Sequence, residues 1–136
     1  MKIITVCIVE DDLEIAESLV TIVQQSPQLA LAGIFHSAEE FEQALPEILP
    51  DVVLLDIGLP GKNGIEFLGK NKSKSPQTLY MMCTVFEDED KIFDSLSAGA
   101  SGYIIKNSPA AKITESILDL YNGGSPMSAA ITRKVV

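Results

Sequence analysis

Six polar side chains in this sequence are of types that work together on a phosphoryl group or a hard cation. Glu10, Asp11 and Asp12 stand in a row after the apolar run Ile3 to Val9. Asp56 follows Val52-Val53-Leu54-Leu55, Thr84 closes the run that begins at Leu79, and Lys106 follows Tyr103-Ile104-Ile105. Carboxylates gathered at one point raise one another's pKa and call for a cation. Hard oxygen ligands suit Mg²⁺ or Mn²⁺, which keep some waters and accept substrate oxygens. Lysine adds a compact positive charge and threonine a hydroxyl donor. Such a set can hold the three outer oxygens of a phosphoryl group: one on the metal, one on Lys106, one on Thr84 and backbone amides. Asp56 is the candidate nucleophile, because an aspartate carboxylate can form an acyl phosphate.

The elements that must position these groups alternate along the chain. Apolar runs at 3–9, 29–35, 52–57, 79–84 and 103–105 read as strands. Between them lie helical stretches. Asp12 to Ser26 puts Ile15, Leu19, Ile22 and Val23 on one face, and Pro27 closes it. Ser37 can cap a second helix with Glu39 and Glu40 in its first turn. Ile65 to Lys74 is weakened by Gly69 and Asn71 and is expected short or frayed. Glu87 to Ala98 should turn Ile92, Phe93 and Leu96 inward. Pro109 opens a last helix that buries Ile113, Ile117 and Leu120 and ends at Gly123-Gly124. Residues 125–136 read as a short helix or a linker. The alternation predicts an α/β domain with a parallel sheet, right-handed crossovers and helices on both faces. Ligands then bind outside the carboxyl ends of the strands, where all six groups stand.

Composition narrows the alternatives. The 136 residues are 46% hydrophobic and 21% charged, enough apolar content for one folded domain. No run approaches the roughly 18–20 apolar residues of a bilayer helix, and the acids after Val9 argue against a signal peptide. The net charge of -9 repels phosphate backbones, so this domain alone is expected not to bind nucleic acid. Cys7 and Cys83 sit in apolar runs without metal-ligand spacing and read as reduced core thiols of a cytoplasmic protein. The one histidine, His36, is expected at the surface without a catalytic role. Neither common glycine-rich phosphate loop occurs, which disfavours NTPases and dinucleotide enzymes. A haloacid-dehalogenase-type phosphatase would need a second Asp where Gly58 stands.

Taken together, Ile8-Val9-Glu10-Asp11-Asp12, Val53-Leu54-Leu55-Asp56-Ile57, Leu59-Pro60-Gly61 with Gly64, Thr84, and Ala98 through Lys106 resemble the receiver domain of bacterial two-component response regulators. The likeness covers essentially the whole chain. It implies a doubly wound, CheY-like or flavodoxin-like sheet in strand order 2-1-3-4-5. It implies that Asp56 is the phosphoacceptor for a sensor histidine kinase or phosphotransfer protein, and that the protein is a signalling domain rather than an enzyme. Asp11 would bind Mg²⁺ directly, with Glu10 as acidic companion, Asp56 as a further ligand and the Gly58 carbonyl completing the shell. Thr84 and Lys106 would take the phosphoryl oxygens. Thr84 and Tyr103 resemble the family's switch pair, with Tyr103 swinging inward on phosphorylation. Asp12 falls just outside the acidic pair and reads equally as a helix cap.

Tyr121-Asn122-Gly123-Gly124-Ser125-Pro126-Met127-Ser128, with Ile131 and Arg133-Lys134-Val135, resembles the receiver-to-linker junction of NarL/LuxR-type regulators. That implies a receiver over 1–124 and a linker or tail over 125–136, leading to a helix-turn-helix DNA-binding domain absent from this chain. A stand-alone receiver acting by protein contact and a phosphorylation-independent binding module are the alternatives. A homodimer through the fourth and fifth helices and fifth strand, or through the first and fifth helices, is open. Phe86, two residues after Thr84, is expected to hinder the water that would hydrolyse the acyl phosphate.

Overall fold

The computed structural model describes residues 2–136. The strands are β1 (Ile4–Val9), β2 (Leu29–Phe35), β3 (Val52–Leu55), β4 (Leu79–Thr84) and β5 (Gly102–Ile105). The helices are α1 (Leu13–Gln25), α2 (Ala38–Ile48), α3 (Gly64–Asn71), α4 (Glu89–Ala98), α5 (Ala110–Tyr121) and α6 (Ala129–Val135). All strand pairs are parallel and the order is β2-β1-β3-β4-β5, as expected. The chain reverses direction across the sheet at the β1–β3 junction, which opens a crevice at the strands' carboxyl ends.

β3 is buried at every position, so it reads as unbroken Val-Val-Leu-Leu rather than as an alternation. Two apolar layers sandwich the sheet. One holds Phe41, Phe67, Tyr80, Tyr103 and Ile131; the other holds Leu19, Val23, Ile113, Ile117 and Leu120.

Local chemistry accounts for the helix starts. The Asp12 carboxylate accepts the Glu14 and Ile15 amides, and Ser37 Oγ accepts the Glu40 amide. α3 is short, as expected, and tightens into a 3-10 turn at Lys72–Lys74. Its start is firm, because Asn63 and Glu66 form a reciprocal capping box. Asn71, read as a weakness, is buried and donates to Glu42 Oε2 at 2.7 Å. That bond ties α3 to α2, so tertiary contact replaces the missing propensity.

One expectation changes. Phe93 is 45% exposed instead of inward, while Ile92 beside it is fully buried. The inward stripe of α4 is narrower than its apolar residues suggested. Residues 125–136 contain α6, which is seated on the domain: Ile131 is fully buried in the core. No helix among the described residues is long and apolar enough to cross a membrane.

Candidate functional site

Backbone pairing carries three of the site residues one step past the strand ends. The Glu10 amide donates to Phe35 O at 2.9 Å, the Asp56 amide to Val9 O at 3.1 Å, and the Lys106 amide to Thr84 O at 3.0 Å. Their side chains therefore leave from ordered backbone. Gly64, the first residue of α3, packs onto the Asp56 carbonyl. A Cβ there would lie 2.1 Å from that oxygen, so only glycine lets α3 approach the site so closely.

The side chains converge. Glu10, Asp56 and Thr84 are all buried, at 1%, 3% and 0% exposure. Lys106 Nζ lies 2.8 Å from Glu10 Oε1 and 2.9 Å from Asp56 Oδ2. Glu10 Oε2 accepts the Asp12 amide at 3.0 Å. Burial pushes the Glu10 carboxyl above its ordinary pKa, against the opposing pull of Lys106. Burial works against the Lys106 charge as well, but its bonds to Glu10 and Asp56 outweigh burial and raise its pKa.

Three buried oxygens, Glu10 Oε1, Asp56 Oδ1 and Thr84 Oγ1, have no hydrogen-bond partner, although Glu10 Oε1 is ion-paired with Lys106. Leaving such atoms dry costs roughly 1–3 kcal/mol each, so a site that keeps them is poised for a ligand. One carboxylate oxygen from each of Glu10, Asp11 and Asp56 lies within 4.8 Å of the others. Asp11 is exposed and stands at the mouth. Hard anionic oxygens around one point, with an unpartnered one on Asp56, fit a small divalent cation. Asp11 and Asp56 are the better ligands, because both Glu10 oxygens already face a donor or a cation.

Asp12 is a helix cap and stands outside this cluster. Gly58 is exposed and lies under the Phe86 ring; a Cβ on Gly58 would stand 3.3 Å from Phe86 Cε2 and 4.0 Å from Asp56 Oδ2. The ring thus lies close to the Asp56 carboxylate. Lys91 Nζ sits over the same ring, 4.8 Å from its centroid. Nothing in the spacing of Phe86 and Lys91 announces that contact. His36 is exposed, as expected, and its Nδ1 lies 3.0 Å from Glu10 O.

Tyr103 is fully buried, and its hydroxyl donates to Phe86 O at 2.8 Å. Its ring is packed in the core with Ile92 and Ile131. Cys7 and Cys83 are free and buried. Burial pushes both thiols up to about 12, with Glu10 and Asp56 adding to the effect at Cys83, so neither is a ready nucleophile.

A family model described as the response regulator receiver domain matches residues 6–118. The transcriptional regulatory protein LnrK of Bacillus subtilis is 30% identical over 130 residues, covering 95% of this chain and 59% of that protein. DevR/DosR of Mycobacterium tuberculosis, a DNA-binding transcriptional activator, is 30% identical over 122 residues, covering 90% and 56%. The chain thus spans little more than half the length of these relatives. Among solved structures, a LuxR-family two-component response regulator from Aurantimonas superposes with a TM-score of 0.92 at 25% identity, over 98% of this chain and 96% of that one. The isolated receiver domain of RcsB from Salmonella enterica, in the presence of phosphomimetic BeF3⁻, has a TM-score of 0.90 at 17% identity over 98% and 99%; this shows shared fold alone.

Proposed function

Because the chain belongs to the response regulator receiver family, and within it to the NarL/LuxR type, we propose that Asp56 accepts a phosphoryl group from a phosphohistidine of a sensor kinase or phosphotransfer protein. The observation that carries this reading is the Asp56 carboxylate itself. It is 3% exposed, with Oδ2 tied to Lys106 and Oδ1 left without a partner.

An Asp56 oxygen attacks phosphorus, the P–N bond to the donor imidazole breaks, and the electron pair leaves with the imidazole. Lys106 follows the growing charge on one outer oxygen, and the Thr84 hydroxyl donates to another. Asp11 and Asp56, with Glu10 behind them and the Gly58 carbonyl beside them, would hold Mg²⁺ or Mn²⁺. Such a cation, when bound, neutralises oxygens of donor and acceptor alike. Phe86 over Gly58 narrows the path of water to the acyl phosphate. On this reading Phe86→Ala speeds loss of the phosphoryl group about three- to tenfold, a barrier change of order 1 kcal/mol. An unchanged lifetime would remove Phe86 from the mechanism.

A protein donor is supported by the surface around the site. Val85 and Leu13 are 61% and 65% exposed. A cleft of about 400 Å³ lined by Ile15, Val85, Ile105 and Lys106 opens beside the reacting groups. The output is control of transcription through a helix-turn-helix domain, in line with the regulators this chain matches over part of their length. The setting is cytoplasmic, which free Cys7 and Cys83 suit.

The test is intact mass after incubation with acetyl phosphate and Mg²⁺. Wild type should gain about one phosphoryl group, and Asp56→Asn or removal of Mg²⁺ should abolish the gain. No gain in wild type would turn the site into a binding surface that works without phosphorylation.

A further inference from the structure

The segment after α5 is gripped by the strand that carries Tyr103. Met127 pairs in parallel with Tyr103. The Tyr103 amide donates to Pro126 O at 2.9 Å, and the Ser128 amide donates back to Tyr103 O at 3.2 Å. Ser128 Oγ accepts the next strand amide, that of Ile105, at 3.0 Å. The approach needs Gly102: a Cβ there would meet Pro126 O at 3.0 Å and Pro126 Cγ at 3.1 Å. Past Ser128, α6 lies against α4 and drives Ile131 into the same apolar cluster as Tyr103 and Ile92.

Two bonds then reach the loop between β4 and α4 from this side of the domain. The Tyr103 hydroxyl holds Phe86 O. Lys134 Nζ donates to the next carbonyl, Glu87 O. That loop begins at Thr84, whose free hydroxyl must close on a phosphoryl oxygen when Asp56 is loaded. The tail therefore contacts the one segment that the loaded site would draw in. A contact that differs between two states of a loop couples whatever sets the loop to whatever makes the contact.

We propose that residues 125–136 are a built-in clasp on the β4–α4 loop, so that seating of the tail and loading of Asp56 favour one another. The inference rests on the phosphoacceptor reading. It gives the tail a role in tuning the site, and it occupies the edge of β5 that would otherwise be open to a second strand.

Ser128→Pro isolates the clasp. Ser128 has φ -59° and ψ 150°, values proline adopts freely, so the change removes the amide and the hydroxyl without straining the entry to α6. Ile131→Ala is the second variant and empties the apolar seat. Each full-length variant is compared with wild type by amide hydrogen exchange and by titration with beryllofluoride in Mg²⁺. The expected result is faster exchange at Tyr103 and Ile105, unchanged protection at the Leu79 amide at the start of β4, and beryllofluoride binding weakened about five- to tenfold. Faster exchange with unchanged beryllofluoride affinity overturns the clasp and leaves the phosphoacceptor reading standing. Unchanged exchange in both variants overturns it too, since these contacts then do not hold the tail. If wild type fails to bind beryllofluoride at all, the phosphoacceptor reading falls and the clasp falls with it.

Discussion

β3 has an aspartate at each end, and the two live in opposite worlds. Asp51, before the strand, is tied to its neighbour Thr5. Its Oδ2 accepts the Thr5 amide at 2.9 Å and the Thr5 hydroxyl at 3.1 Å, and its own amide donates to Thr5. Thr78 nearby gives its hydroxyl to Pro50 O at 2.9 Å. Asp56, after the strand, keeps Oδ1 free and shares Lys106 with a second buried acid. Both aspartates are delivered by the same four apolar residues. The difference is what meets them: at the amino end Thr5 supplies two donors to one carboxylate oxygen, and at the carboxyl end the neighbours supply one shared lysine, a second acid and an idle hydroxyl. One end of the sheet holds the fold together, and the other gives up stability to keep polar atoms ready.

The largest break in that contrast should come from Lys106→Ala. It strands Glu10 and Asp56 as buried, uncompensated charges, at a cost of about 3 kcal/mol. Urea unfolding should show the loss without Mg²⁺ and a partial return with it. A variant as stable as wild type in metal-free buffer would mean that the acids are already relieved by solvent.

Asp51→Ala attacks the bonded end. Losing the two bonds to Thr5 should cost about 1–2 kcal/mol. The yield of phosphoryl transfer from acetyl phosphate should stay at the wild-type level. A fall in yield at matched folded fraction would show that the two ends are not independent.

Glu42 offers the smallest effect. It lies off the sheet, and hydrogen bonds from Asn71 and then Lys62 pull its carboxyl down to about 2. Its folded pKa is below the unfolded value, so its stabilisation is complete above about pH 4.5 and fades as pH falls toward 2. The side chain is 25% exposed. Screening therefore limits Glu42→Gln to less than about 1 kcal/mol near neutral pH. The gap between wild type and variant should narrow between about pH 5 and pH 3. A constant gap would assign the network to packing rather than charge.

Much of this was legible beforehand because periodicity and strand-exit chemistry are local. Apolar runs of three to seven residues read as strands when each is followed by a helix-spaced stretch. In a parallel sheet every strand then ends on the same side. That logic placed Glu10, Asp11, Asp56, Thr84 and Lys106 near one another. It failed where side-chain direction depends on a neighbour. Phe93 and Ile92 look alike in sequence, yet only Ile92 meets the core. Asn71 reads as a helix breaker and serves as a tie to Glu42. Asp12 could belong to the site or to the helix; the Glu14 and Ile15 amides claim it.

By itself the sequence determined the strand and helix alternation, the sheet end that carries the chemistry and the identity of the acceptor candidate. Each follows from residue type and spacing along one short segment. The tertiary structure decided three other things. It split the two Asp56 oxygens between a lysine and nothing. It laid Phe86 over Gly58. It seated residues 125–136 against β5, with Tyr103 locked inward beneath them. Those arrangements depend on which surfaces meet after the chain has crossed the sheet. Contacts between residues twenty to fifty positions apart leave no periodic trace in the sequence that makes them.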